Sequence, residues 1–374
     1  MVLLPRNIHE LISYCDLSNY DIGASIQFIC KCMTTIRAVT SLNFLTGKKV
    51  VWSFLILIIA ASPAFSEPPL VVNISCTGCD AGNPSEEISF QDPTRVEVFR
   101  VKGPGTVQIS NVMGDITFRD TDSDEVRVEM YVKRSFTFWG ESRRDDLRMI
   151  VVQNKNDVTV NVEPPRGART GATGGQEISF IVYAPPYMEV ILKTGYGNIR
   201  AAGLGSTHDI RTGFGNILIE RSRGEGRVLT SAGNIDIQRY TGSIMCLSAG
   251  GNIHLSNVKG SAKVKTRGGH VHANDMDGSL MAESDGGSIN VHMIAVDEGL
   301  FLQTKAGDVT ANLPSGVGLD VVMRGSRTLM SDWSSFRGVR RNNEVDGAIQ
   351  GGGTTVNLFT KVGKAEIVLN RSNP

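Results

Sequence analysis

A short pattern that recurs about every 18 residues restricts the fold of this 374-residue chain more than any other feature. Each copy begins with glycine, continues with a polar residue and ends with isoleucine or valine. Seven regular copies indicate a stacked repeat architecture, because one such unit cannot bury its apolar face alone. The repeat glycines are Gly197, Gly215, Gly233, Gly251, Gly269, Gly287 and Gly307, and the asparagines that follow four of them are Asn198, Asn216, Asn234 and Asn252.

The spacing of apolar residues inside each copy predicts strands. Ile235 and Ile237 flank Asp236, and the same alternation recurs in the other copies, which is the period of a strand with one buried face. A second apolar column runs from Leu192 to Leu302, and serine or threonine follows it two positions later in each copy. We therefore predict an all-β fold, a parallel β-solenoid resembling a single-stranded β-helix, with about 18 residues per turn and regular rungs at about 188–312.

Two details of the turns follow from residue type. The recurring hydroxyl predicts a ladder of serine and threonine that bonds neighbouring rungs or the turn backbone, and the asparagines predict a matching ladder in the turn. Glycine also recurs at a second corner, which favours two longer strands and a short third side. These corner residues are Gly224, Gly242, Gly260 and Gly278.

Composition excludes several classes of protein. Basic and acidic residues are equal in number, at 38 each, which argues against a nucleic-acid binder. An apolar fraction of 41% is too high for a disordered chain. The 41 glycines follow no Gly-X-Y period, so collagen is excluded and the glycine excess points to turns.

The N-terminal part has the pattern of an export signal. Lys48 and Lys49 precede an apolar run at 50–61, and small residues lead to a cleavage site after Ser66. The run is shorter than the roughly 20 residues that span a bilayer, so a membrane anchor is the less favoured reading. We divide the chain into an over-extended start at 1–32, a signal peptide at 33–66, an entry segment at 67–88 and the solenoid at 89–374. Met1 or Met33 could each be the start.

The cysteines of the exported part give no disulfide framework, because three remain after the signal peptide. Cys76 and Cys79 have CxxC spacing in a segment rich in glycine, asparagine and proline, which favours a local disulfide over a redox motif. Zinc would need a second ligand pair, which the sequence does not offer. Cys246 stands in the aliphatic column, so we predict a small buried hydrophobe there.

Two patterns raise the question of metal binding. His254 and His272 occupy one outward column on adjacent rungs, with Asp236 one rung away, so they are candidate metal ligands; a solvated face is the favoured alternative. The acidic run from Asp120 to Asp124 opens like an EF-hand loop. It then has Glu125 in place of glycine and Tyr131 in place of glutamate, so we predict an acidic hairpin turn and no cofactor.

The repeat and its entry resemble a known family. The stretch 181–186 leads into the repeat through Pro185 and Pro186, and 194–199 reads Thr-Gly-Tyr-Gly-Asn-Ile. This order is similar to that of the bacterial putative-adhesin families, including the auto-transporter adhesin head GIN domain, over roughly 90–370. The resemblance implies an exported β-solenoid and carries no catalytic residue over to this chain.

These observations together predict a non-enzymatic protein of the cell envelope or surface, an adhesin that binds surface glycans or envelope proteins. We expect it in the periplasm, at the outer membrane or outside the cell, with no nucleic-acid partner and no integral membrane segment after cleavage. The alternatives are a carbohydrate-active β-helix enzyme and an envelope scaffold without a ligand. The enzyme is disfavoured because no Asp/Glu pair is stacked on neighbouring rungs of the outward columns. The oligomeric state stays open.

Overall fold

The computed structural model describes residues 92–134, 148–163 and 176–370, which lie in the compact unit Phe90–Pro374. Every element of regular secondary structure within these ranges is a β-strand. The signal peptide, the entry segment and the Cys76–Cys79 pair lie outside the described residues. The domain boundaries therefore stay predictions.

The strands fall into three groups along the chain. The N-terminal strands are β1 (Arg95–Arg100), β2 (Thr106–Met113), β3 (Ile116–Asp120), β4 (Glu125–Arg134), β5 (Arg148–Asn154), β6 (Asp157–Glu163) and β7 (Gln176–Ala184). The repeat region has β8 (Glu189–Tyr196), β9 (Ile199–Ala202), β10 (His208–Phe214), β11 (Ile217–Thr230), β12 (Ile235–Ser248), β13 (Ile253–Thr266), β14 (Val271–Ser284), β15 (Ile289–Ala306) and β16 (Val309–Pro314). The C-terminal strands are β17 (Leu319–Arg324), β18 (Arg327–Met330), β19 (Phe336–Arg340), β20 (Glu344–Ile349), β21 (Thr354–Val362) and β22 (Lys364–Asn370).

The repeat region stacks in parallel and in register, which confirms the predicted β-solenoid. Ile235 pairs with Ile217 on one side and with Ile253 on the other, so each rung is offset by 18 residues. The repeat glycines, such as Gly233, form a turn in each rung. The strand segments that precede this turn form one series, here called sheet I, and those that follow it form a second series, sheet II. Each strand from β11 to β14 runs continuously from sheet II to sheet I.

The core lies between the two sheets and has the columns that the alternation predicts. Ile217, Ile235 and Ile253 are at most 1% exposed. Cys246 is fully buried between the aliphatic residues of its column, and burial raises the pKa of its thiol. The interpretation of this cysteine as a small buried hydrophobe is therefore confirmed.

Two bends produce the short third side of each rung. Glycines at the predicted corner, such as Gly224 with φ +111°, form one bend. The other bend is a left-handed residue three positions earlier that is never glycine: Arg221, Arg239, Asn257 and Asp275 have φ between 48° and 55°. The sequence did not reveal this second bend, because arginine is an unusual residue for a left-handed conformation.

The N-terminal end departs from chain order. Strand β2 lies between β6 and β8 in sheet I, and β3 lies between β7 and β9 in sheet II. The rung formed first in the chain is thus inserted between two later ones. Strand β7 also separates β3 from β4, so the predicted acidic hairpin turn at Asp120–Asp124 is wrong. This connection crosses over a strand instead.

The C-terminal end repeats this arrangement. Strand β21 lies between β15 and β17, and β22 lies between β16 and β18. Antiparallel strands then cover both ends of the stack, with β1, β4 and β5 at one end and β19 and β20 at the other. The parallel, in-register pairing of the rungs therefore gives way to antiparallel pairs at these strands.

Candidate functional site

The edge formed by the glycine turns, here called the turn edge, carries the predicted hydroxyl ladder. The hydroxyl of Thr266 donates to the carbonyl of Gly251 on the preceding rung at 2.8 Å and accepts the N–H of Gly269 at 3.2 Å. Ser248 makes the equivalent bonds to Gly233 and Gly251, at 3.0 and 2.9 Å. The ladder satisfies buried turn groups that would otherwise lack partners.

A second ladder runs through the residues that follow the turn glycines. The side-chain oxygen of Asn216 accepts the backbone N–H of Asn234 at 2.8 Å, and that of Asn234 accepts the N–H of Asn252 at 2.9 Å. Asp115 and Asp308 make the equivalent bonds near the two ends, to Asn198 at 2.7 Å and to Lys364 at 2.9 Å. Each Asn side chain therefore uses its oxygen within the stack, and within the described residues its NH2 group donates to no protein acceptor.

Glycine is required at these turns because the rungs approach closely. A Cβ atom on Gly251 would overlap the carbonyl oxygen of Gly233, and the same overlap recurs along the column. From Asn216 to Asn252 the turn edge is thus a smooth surface with short side chains, and its backbone groups are bonded from rung to rung.

Two aromatic side chains interrupt this smooth surface. Tyr196 and Phe214 stack at 5.1 Å between ring centroids and 7° between planes, yet they are 43% and 55% exposed. Each lies between two glycines, in Gly195-Tyr-Gly197 and Gly213-Phe-Gly215. We call Tyr196 and Phe214 the aromatic pair. The repeat pattern alone did not predict this pair, although the sequence carries a signal for it: an aromatic residue between two turn glycines in two successive copies.

The candidate metal ligands lie on the outward face of sheet II, as predicted. His254 and His272 are register partners whose rings stack at 5.1 Å. Partial burial and the neighbouring imidazoles of His254 and His270 lower the pKa of His272. Asp236 pairs with His254 in register, but its carboxylate accepts a bond from Gln238 at 3.2 Å. Among the residues that the structure places, no group of three His, Cys, Asp or Glu could hold a metal ion.

Within the part of the chain that the structure describes, the outer strands hold one buried acidic side chain, and its carboxylate has two bonding partners. Glu129 is 5% exposed, forms an ion pair with Arg127 and accepts the hydroxyl of Tyr131 at 2.8 Å. Burial and this bond to Glu129 raise the pKa of Tyr131 to about 12. The ion pair and the hydrogen bond hold the carboxylate of Glu129 within the strands.

The architecture defines a class: an all-β solenoid with parallel rungs, antiparallel ends and a turn edge stabilised by two ladders. The chain belongs to the Toastrack DUF4097 family, which it matches over residues 106–363. It matches no curated protein. Within the described ranges, no helix is long and apolar enough to cross a membrane.

Solved structures with a similar fold share little sequence with this chain. A putative adhesin from Bacteroides fragilis is 12% identical, with 74% of this chain and 96% of that chain covered and a TM-score of 0.36. A putative adhesin from Parabacteroides distasonis is 12% identical, with 73% and 96% covered and a TM-score of 0.26. A putative cell adhesion protein from Clostridium sporogenes is 10% identical, with 75% and 100% covered and a TM-score of 0.20. These resemblances are too distant to assign a function.

Proposed function

We propose that this chain is an exported, non-enzymatic protein of the bacterial envelope or surface, an adhesin of the GIN-head type that binds surface glycans or envelope proteins. The observation that carries the proposal is the exposed aromatic pair on an otherwise smooth turn edge. A stacked rod needs no exposed aromatic rings to hold its rungs, whereas a binding surface gains affinity from them. The signal-like segment at 33–66 supports export.

The experiment is fractionation of cells that express the full chain, followed by binding of purified protein to whole cells and to isolated envelope. We expect a processed chain outside the cytoplasm and saturable binding to at least one of the two surfaces. An unprocessed chain in the cytoplasm would contradict export. Processed protein without saturable binding would favour the scaffold alternative. Turnover of a glycan library by the purified protein would favour the enzyme.

A further inference from the structure

We propose that the turn edge binds a linear, uncharged polysaccharide, with one sugar ring stacked on Phe214 and the following units aligned along the amide groups of Asn216, Asn234 and Asn252. This inference rests on the proposed function and names its ligand class and its site.

The aromatic pair ends in an uncovered ring face. Tyr196 covers one face of Phe214, and Phe214 is still 55% exposed. One repeat later the equivalent residue is Ala232, and the next two are Gly250 and Gly268. No bulky side chain therefore continues the stack. A flat apolar group of ring size fits where a third aromatic ring would stand, and the C–H face of a pyranose is such a group.

The amide groups supply the polar contacts beside this ring. The oxygens of Asn216, Asn234 and Asn252 accept backbone N–H groups, at 2.8 to 2.9 Å. Within the described residues their NH2 groups donate to no protein acceptor; Asn216 and Asn234 are exposed and Asn252 is half-buried. The edge thus presents a row of NH2 donors that have no acceptor within the described protein. Hydroxyl and ring oxygens of a sugar can accept such bonds.

The spacing of the row favours a linear polymer. Successive amides belong to successive rungs, which stack about 4.8 Å apart. This distance is close to the length of one pyranose unit in an extended chain. Each sugar can therefore meet an equivalent amide as the polymer follows the axis of the solenoid.

The charge pattern favours an uncharged glycan over a peptide or an acidic polymer. The residues beside the turn glycines from Asn198 to Asn252 are neutral, and so are Ser231 and Ala249. Charged side chains flank this stretch, with Asp115 on the rung before Asn198, and Arg267 and Asp285 on later rungs. An extended peptide would also bring backbone N–H groups, which the amide NH2 groups cannot accept.

The test is calorimetric titration of the processed protein with linear neutral oligosaccharides of increasing length, including β-1,4-linked glucose, xylose, mannose and N-acetylglucosamine series. We expect binding to at least one series, with affinity rising over the first few units. F214A should weaken binding about tenfold or more, as expected for one lost stacking contact. The control I294A removes a side chain that is 56% exposed elsewhere and should bind like the wild type.

The amide is tested by N216D. Asp115 and Asp308 already occupy this ladder position and accept the same backbone bond, so the substitution keeps the ladder, removes the NH2 group and adds one negative charge. We expect an unchanged melting temperature and affinity reduced about fivefold to tenfold. N290D adds the same charge on the face of sheet II and should not change affinity.

A third variant, A232F, fills the proposed sugar position with a ring. It should abolish glycan binding in a folded protein. Wild-type affinity in both F214A and N216D would overturn the inference, as would binding of peptides but no glycan. If cells are bound but no neutral glycan is, the site assignment fails and the proposed adhesin function stands. If no surface is bound, both fail.

Discussion

The central rungs and the two ends of this solenoid use the same two sheets but reach them by different routes. In the centre, Ile235 pairs with Ile217 and Ile253, its counterparts in the adjacent repeats. At the ends, Val107 pairs with Val190, and Leu300 pairs with Val356. Local repetition builds the centre, whereas distant segments inserted between rungs close the ends. The sequence repeat therefore determines the rung, and non-local pairing determines where the stack stops.

The largest expected effect is at a central turn glycine. In G251A the added Cβ would overlap the carbonyl oxygen of Gly233, so a rung must shift. We expect the free energy of unfolding to fall by about 3 kcal/mol or more, or a failure to fold. Urea denaturation followed by circular dichroism measures this.

The matched control is Gly316, which has φ +87° and open space on the side where a Cβ atom would stand, with no neighbouring atom within 4 Å. G316A should cost only about 1–2 kcal/mol, from the left-handed conformation. Equal losses in the two variants would contradict the role of close approach between rungs.

The hydroxyl ladder gives the next largest effect. T266V keeps the shape of the side chain but removes a donor to Gly251 and an acceptor for Gly269 at a fully buried site. We expect a loss of about 2 kcal/mol. At the C-terminal end, Thr328 donates to loop carbonyls of Arg341 and Asn342, so T328V should cost about 1 kcal/mol. A larger loss in T328V would show that the ends, not the ladders, limit stability.

A pH effect is expected from His208, which lies in the core one rung before the regular strands. It is 1% exposed, and burial lowers the pKa of its imidazole. The unfolded state then binds the proton more readily, so stability is complete above pH about 6.5 and is lost as pH falls below it. H208L removes the titrating imidazole and should therefore reduce the loss of stability at acid pH. Leucine fits this position, because Leu280 and Leu300 occupy the same column.

The control for this pH effect is H272N. The pKa of His272 is also lowered, but its side chain keeps contact with solvent, so its contribution is smaller. Melting temperatures measured between pH 8 and 5 separate the two residues. Parallel curves for the wild type and H208L would contradict the role of His208.

The smallest effect belongs to the exposed ion pairs between rungs. Lys265 and Glu283 lie 2.6 Å apart on adjacent central strands, and the lysine side chain is 52% exposed. K265M should lower the free energy of unfolding by at most about 1 kcal/mol, and less in high salt. A loss as large as that of T266V would mean that surface charge, rather than the turn edge, holds the rungs together.

The sequence predicted the repeated columns and ladders, and it missed the left-handed bend at Arg221 and its counterparts and the insertions at the two ends. The columns of Ile235 and Ser248 recur at a fixed period, so stacking and the ladders followed from residue type and spacing. The insertion of β2 between β6 and β8 joins segments with no common period, and no local signal specifies it. The aromatic pair was missed because Tyr196 and Phe214 occupy a turn position that is small in the next copies.

The inserted ends are tested most directly by disulfide formation between designed cysteines on the outward face of sheet I. Phe359 pairs with Gln303 on one side and with Arg324 on the other. The fold therefore predicts a disulfide in Q303C/F359C, where the strands are neighbours. It predicts none in Q303C/R324C, where two strand spacings of about 4.8 Å separate the residues. Peptide mapping that finds the second disulfide and not the first would mean that the rungs follow chain order, which would contradict the inserted end.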